Sequence, residues 1–380
     1  MSHDSPFATA TKWTSEPVQT RNERFASIDP TEFPDVSAAL LDWRLTPLDR
    51  ITSLVSGQLD GGTYSVTSNV DVSWQPMTNS VIGSAGCSED KVSARAWTAT
   101  ESALHILLDG EDTEPAQLER MLDGTRAAHI VIEFAAHSRR TLVFTNHGLV
   151  NLAENVEIIV RDGAHATAVF LGEWDNASVH LASHFAVVGR DAHLKHILVS
   201  LGGSVQRVNP NIVLNGKGAS ADAFGVYFAD AGQHIEHRVF VHHEAANTTS
   251  RVNYKGALHG DGAHTVWVGD VLIGPDATGT DSYEQNRNLV LSEGTRADSV
   301  PNLEIQTGDI AGAGHASATG RFDDEHLFYL RSRGIPEKEA RRLVVLGFLL
   351  EVVNSIGVAE LEVRLGSALE TELNRIEDAA

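Results

Sequence analysis

One histidine, His315, stands in a run of small residues, DIAGAGHASATG, from Asp309 to Gly320. Its small neighbours leave the imidazole ring uncovered within its own chain, and the glycines allow the backbone to approach another molecule closely. We therefore predict that His315 faces another molecule, and the alternative is a turn histidine that faces water.

Histidines also occur as close pairs along the chain, in HLASH, HLKH, HIEH and HH: His180 and His184, His193 and His196, His234 and His237, His242 and His243. On a strand, an odd separation sends two side chains to opposite faces, and a separation of four residues places them about 13 Å apart. Because this region has the pattern of strands, we predict surface histidines rather than metal sites. A second alternative is left open, in which histidines on adjacent strands converge on one metal ion.

Enzyme chemistry has few candidates here. A carbohydrate-active enzyme on a β-helix could use a pair of carboxylates drawn from Asp261, Asp270, Asp276 and Asp281, although turn positions explain these residues equally well. Cys87 has no basic neighbour that would lower the pKa of its thiol, so we predict a structural role. The chain has neither a phosphate-binding loop nor a nucleophile elbow, and we predict that it is not an enzyme.

Composition restricts the partners and the compartment. The formal net charge of −22 opposes binding to nucleic acid and to anionic membranes. The single cysteine rules out an intrachain disulfide, and the longest apolar run, from Leu343 to Val353, is too short to span a bilayer. With no signal-peptide pattern at the N-terminus, these features predict a cytoplasmic protein that binds neither nucleic acid nor membrane.

The central region carries a repeat of turn signals followed by alternating apolar residues. Ala164, Ala192 and Ala219 occupy equivalent places in it, at spacings of 28 and 27 residues. Such a repeat favours a mainly β fold with a parallel β-helix, and a sandwich or jelly roll is the competing fold. We predict a tail and helical region over 1–95, a β-helix core over 96–318 and a C-terminal helical domain over 319–380.

Helical patterns flank and interrupt this region. We predict short helices within 33–51 and, between Pro115 and Gly124, within 114–124. Helices also follow residue 323, and in the last of them Leu361, Leu365, Leu369 and Leu373 form one apolar stripe. The C-terminal helices either pack on the β core or dock a partner. These alternatives concern Phe328, Tyr329, Leu343 and Phe348.

Three segments resemble the SufD branch of the SufB/SufD family, which belongs to the SufBCD scaffold for iron-sulfur cluster assembly: QNRNLVLS (285–292), PNLEI (301–305) and LFYLRSRGI (327–335). The resemblance is close over about residues 230–355. It implies a right-handed parallel β-helix with helical regions at both ends, and a non-catalytic scaffold subunit. It also implies pairing with SufB, or with a second copy when the chain is alone.

The resemblance further implies that the ATPase SufC is recruited through the C-terminal helices, where the candidate contact residues are Phe328, Tyr329, Arg331 and Arg333. Many family members have a cysteine shortly before the histidine, whereas this chain has Gly and Ala there. His315 thus becomes a candidate ligand for an iron-sulfur cluster that is transient and shared with SufB, because imidazole can replace thiolate on individual irons. The chain alone is expected to hold no cluster stably.

Overall fold

Two parallel β-sheets form the body of the molecule in the computed structural model, which describes residues 25–321, 324–355, 357 and 359–379. The predicted tail up to residue 24 lies outside these residues. Each sheet has nine strands, and the chain passes from one sheet to the other after nearly every strand. Successive passes stack as about eight turns of a β-solenoid. The predicted mainly β fold with a parallel β-helix is confirmed.

The first sheet has the strand order β1-β4-β6-β8-β10-β12-β14-β16-β18. Its strands are β1 (Thr67–Ser68), β4 (Ala116–Met121), β6 (Arg139–Gly148), β8 (His165–Trp174), β10 (His193–Gly202), β12 (Ser220–Ala229), β14 (Thr249–Leu258), β16 (Thr280–Val290) and β18 (Ile310–Arg321).

The second sheet has the order β17-β15-β13-β11-β9-β7-β5-β3-β2. Its strands are β2 (Val72–Pro76), β3 (Ser102–Leu108), β5 (Gly124–Phe134), β7 (Val150–Val160), β9 (Val179–Val188), β11 (Val205–Leu214), β13 (His234–His243), β15 (His264–Ile273) and β17 (Arg296–Ile305). All neighbours pair in parallel except β1 with β4 and β2 with β3.

The alanine repeat marks one full turn of the solenoid. Ala164, Ala192 and Ala219 each directly precede a strand of the first sheet, and all three are buried. The strands that follow align residue by residue, as in the stack His165, His193 and Ser220. Alternate residues of each strand point between the sheets, where they form one continuous apolar core. The repeat is visible in the sequence because stacked turns place residues of similar size at equivalent positions.

The N-terminal segment covers the outer face of the second sheet through α1 (Thr52–Ser56) and α2 (Lys91–Ala99). Two short 3-10 helices lie at Pro30–Glu32 and Leu48–Arg50. The helix predicted within 33–51 is wrong, because residues 38–46 form successive turns, with Trp43 N–H bonded to Leu40 C=O. Buried Trp43 packs against the sheet and stabilises this irregular path.

The helix predicted within 114–124 is also wrong, because this segment forms β4. Its side chains alternate between buried and exposed, with Ala116, Leu118 and Arg120 buried. That period of two is the pattern of a strand, and the segment pairs with β6. Pro115 and Gly124 suggested a helix because proline is common at the start of helices and glycine just after their end. Non-local pairing therefore overrides the local helix signal.

Three C-terminal helices follow the last strand: α3 (Asp324–Ser332), α4 (Glu337–Val353) and α5 (Ala359–Ala379). In α4, Leu349 and Val353 pack with Leu365 and Leu369 of α5 against the outer face of the first sheet. Leu365, Leu369 and Leu373 of the predicted stripe are buried, and the side chain of Leu361 lies outside those described. Across the described residues no helix is long and apolar enough to cross a membrane.

Candidate functional site

Among the described residues, no further turn of the solenoid lies above the last one. Strand β18 is the edge of the first sheet, and β17 is the edge of the second. His315 lies on β18 and is exposed. It is the register partner of Glu284 on β16, so the two side chains share the face that points between the sheets. His315 is thus on a strand rather than in a turn, and its ring is uncovered because the solenoid ends there.

The carboxyl group of Glu284 lies directly beneath this open end. Glu284 is only 1% exposed, and neither of its carboxyl oxygens has a side-chain hydrogen-bond partner among the described residues. Burial, with a further contribution from the charge of Asp270, raises the pKa of Glu284 to about 8, against an opposing effect of the backbone amide of Asn302. Sequence analysis missed Glu284, which shares its inward-pointing alternation with Asn286 and Asn288.

Glycine at position 269 makes room for this carboxyl group. A Cβ atom there would come within 2.5 Å of Oε2 of Glu284 and within 2.3 Å of the Trp267 ring. Trp267 is fully buried, and its indole N–H has no hydrogen-bond partner in the part of the chain that the structure describes. Two buried polar groups without side-chain partners among the described residues therefore lie one layer below His315.

A hydrogen-bonded polar layer continues beside them. The Tyr227 hydroxyl donates to Oδ1 of Asn288 at 2.7 Å and accepts from Nδ2 of Asn286 at 2.8 Å. Nδ2 of Asn288 in turn reaches Ser299 on β17 at 3.2 Å and Thr319 on β18 at 3.4 Å. Asn286 and Asn288 therefore link the two edge strands, and a rigid polar base supports the end of the solenoid.

Sulfur ligands are absent from β18, where Gly312, Ala313 and Gly314 precede His315. Cys87 lies in the loop before α2. Burial raises the pKa of its thiol to about 11, so a thiolate is disfavoured at neutral pH, in line with the structural role predicted for it. The donors that this chain offers at the open end are an imidazole and a carboxyl group.

The surface positions predicted for the paired histidines are wrong, because six of the eight are buried between or behind the strands: His180, His184, His196, His234, His237 and His243. The pairs along the sequence also do not converge. His234 contacts the Nδ1 atom of His264 on the adjacent strand at 3.1 Å, whereas His237 bonds Ser200 in the interior at 3.0 Å. His184 instead bonds His196 at 2.9 Å. Convergence between strands thus occurs, but the described residues contain no group of three or more His, Cys, Asp or Glu side chains that could hold a metal ion.

The four aspartates considered for carbohydrate chemistry lie on separate turns and strands. Asp281 forms an ion pair with Arg251 at 2.5 Å, and Asp270 accepts a hydrogen bond from Asn302 at 2.7 Å. Asp261 and Asp276 occupy turns that precede β15 and β16. Two of the four carboxylates are thus already engaged in other interactions.

Helix α3 presents aromatic side chains to solvent. Phe328 is 74% exposed and Tyr329 is 56% exposed, so packing against the β core, the alternative considered for them, is wrong. Phe348 does pack with the helices and the sheet, while Leu343 is partly exposed. Arg331 forms an ion pair with Glu337 at 3.3 Å, and the Arg333 guanidinium lies 5.2 Å from the Tyr329 ring centre.

These features define a class of protein: a parallel β-helix with terminal helices, an uncovered last turn that carries a histidine, and an exposed aromatic pair beside it in sequence. The family model described as "SUF system FeS cluster assembly, SufBD core domain" matches residues 118–348.

Relatives extend this similarity over almost the whole chain. An iron-sulfur cluster assembly SufBD family protein of Mycobacterium bovis is 45% identical over 93% of both chains. One from Mycobacterium leprae is 43% identical over 96% of this chain and 97% of its own. A third, from Staphylococcus saprophyticus, is 31% identical over 51% of this chain and 41% of its own. The chain belongs to the SufBD family of iron-sulfur cluster assembly proteins, which confirms the resemblance found in the sequence.

Proposed function

We propose that this chain is a SufD-type scaffold subunit of the cytoplasm, without catalytic activity of its own. In this role it pairs with SufB, recruits the ATPase SufC and supplies His315 as one ligand to a nascent cluster. The cluster is the cargo of the complex and is shared with SufB, which supplies thiolates. The observation that carries this proposal is the position of His315, exposed on the inward face of a solenoid end that none of the described residues covers.

Pairing with SufB is proposed at the open end. Strands β17 and β18 are unpaired edges, and an unpaired edge offers backbone donors and acceptors to another chain. Tyr283, Val300 and Ile305 add exposed apolar side chains on β16 and β17. Contact there would bring ligands of SufB close to His315, and a second copy of this chain could occupy the same edge when SufB is absent.

Recruitment of SufC is proposed at α3. Phe328 and Tyr329 are adjacent and both exposed, so they form a larger apolar patch than a single exposed residue would. Aromatic residues and arginine commonly anchor protein interfaces. Arg331 and Arg333 flank them with positive charge on a chain that is otherwise strongly acidic. Helix α3 packs with α4, which lies on the outer face of the first sheet, and we propose that SufC binds there while SufB binds the edge strands.

Anaerobic reconstitution with iron and sulfide tests the role of His315. The co-expressed complex of SufB, SufC and this chain is prepared as wild type and as His315→Ala, and the visible absorbance of the cluster is measured. His165→Ala is the matched control, because His165 is also exposed on a strand of the first sheet. We expect less cluster only in His315→Ala, with the complex still assembled. An equal cluster yield in all three would remove His315 as a ligand.

A further inference from the structure

We propose that Glu284 is a second ligand, together with His315, for an iron(II) ion received at the open end of the solenoid. This inference rests on the proposed function, because it assumes that iron reaches His315. It adds an oxygen donor from the interior of this chain to the imidazole on its last strand.

The register of the strands places the two side chains together. Glu284 and His315 are direct partners on adjacent parallel strands, and such strands lie about 4.8 Å apart. Both side chains occupy the inward face. Two ligands on neighbouring strands can therefore reach one ion, in contrast to the histidine pairs along a single strand.

The described surroundings of Glu284 supply no cation and no side-chain donor, which a buried carboxyl group normally has. Neither oxygen has a side-chain hydrogen-bond partner or an ion pair within the described ranges of the chain, and the backbone amide of Asn302 is the one donor that acts on the group. The charge that acts on it is that of Asp270, which has the same sign as a carboxylate. Buried acids are normally paired or coordinate metals. The environment of Glu284 is therefore that of a metal ligand.

The imidazole of His315 and the carboxylate of Glu284 indicate which kind of ion this site would bind. An imidazole and a carboxylate with open positions are typical of iron(II) sites in proteins, whereas calcium and magnesium prefer oxygen ligands alone. The remaining positions on the iron stay open on the solvent side of His315, where a partner subunit or sulfide can enter. Glu284 would then hold iron on this chain before any thiolate from the partner is present.

Equilibrium dialysis of the isolated full chain against iron(II) under anaerobic conditions tests this, with bound iron measured chemically. The variants are Glu284→Gln and His315→Ala, and the matched controls are Glu293→Gln, at an exposed turn, and His165→Ala. We expect Glu284→Gln and His315→Ala each to weaken binding by at least about tenfold, with both controls unchanged. Glutamine keeps the shape of the side chain, and Glu284→Asp, which retains a shortened carboxylate, is expected to bind with intermediate affinity.

The outcomes separate this inference from the proposed function. Wild-type affinity in Glu284→Gln with a loss in His315→Ala would overturn the role of Glu284 and leave the role of His315 intact. Unchanged affinity in both variants would overturn Glu284 and His315 as iron(II) ligands of the isolated chain. If the wild-type chain binds no iron(II), either alone or in complex with SufB, the paired site is overturned, while the reconstitution experiment still decides on His315.

Discussion

At the scale of single residues, the open end of the solenoid combines an exposed imidazole with a buried acid. The sequence revealed His315, because a histidine among Gly and Ala stands out without any knowledge of the fold. Glu284 could not be found in the same way. Its significance depends on which residues of β16 point inward and on which strand lies above it, and both follow from non-local strand register.

Replacing Glu284 with Gln should change how stability depends on pH. The pKa of Glu284 is about 8 in the folded chain, against an ordinary value of 4.5. Folding therefore takes up a proton at any pH between 4.5 and about 8. The free energy of unfolding falls as the pH rises through this range, by at most about 1.4 kcal/mol per pH unit. Glutamine does not titrate, so Glu284→Gln should gain stability over wild type between pH 5.5 and 8 in urea unfolding.

A pH-independent difference between the two proteins would contradict the buried, protonated state of Glu284. Glu293→Gln, at an exposed turn, is the matched control and should follow wild type at every pH.

At the scale of elements, the sequence predicted the strands of the repeat but misplaced two helices. Turn signals and alternating apolar residues recur with every turn of the solenoid. Each repeat therefore strengthens the prediction of the strands in the others. The segment that forms β4 lies near the start of the solenoid, where Pro115 and Gly124 gave a stronger local signal than three alternating positions. Helix α2 was also missed, although Asp90 caps its first turn through the N–H groups of Val92 and Ser93.

The C-terminal helices should depend on Leu349 for their attachment to the sheet. Leu349 of α4 is fully buried in the cluster that joins α4, α5 and the first sheet. Its replacement by Ala should destabilise this attachment by about 2–5 kcal/mol. Val363 on α5 is exposed, and Val363→Ala should change stability by less than about 0.5 kcal/mol. Proteolysis of the C-terminal helices measures the difference, and equal protection of both variants would contradict the packing.

The exposed aromatic pair on α3 should matter for partner binding rather than for folding. Phe328→Ala with Tyr329→Ala is expected to reduce the capture of SufC by about tenfold or more, as loss of interface anchors does. Met121, which is 77% exposed on β4, provides the control Met121→Ala. Undiminished capture of SufC by the double variant, at unchanged melting temperature, would rule out α3 as the docking element.

At the scale of the whole molecule, the stacked turns bury many histidines, several of them among apolar and uncharged side chains. Burial lowers the pKa of His196 and His237 to about 3, and burial, with a smaller effect of neighbouring His242, does the same for His243. The pKa of His184 is also lowered well below its usual value. These histidines take up protons readily only after unfolding, so the stability they provide is present above pH 6.5 and is lost on acidification.

Acid should therefore unfold the chain well above the pH at which carboxylates titrate. Each of four histidines contributes up to about 1.4 kcal/mol per pH unit below 6.5, and this outweighs the opposite effect of the single Glu284. The free energy of unfolding, measured in urea from pH 7.5 to 5, should decrease throughout the lower part of this range. A constant value down to pH 5 would show that these histidines are not buried in neutral form.

The central claim is that His315 ligates the cluster assembled at the open end. Pulsed electron paramagnetic resonance of the reconstituted and reduced complex measures this directly, because an imidazole nitrogen bound to iron gives a strong hyperfine coupling. We predict this coupling in the wild-type complex and in His165→Ala, and its loss in His315→Ala. A coupling that persists unchanged in His315→Ala, or that is absent from the wild-type complex, would contradict the claim.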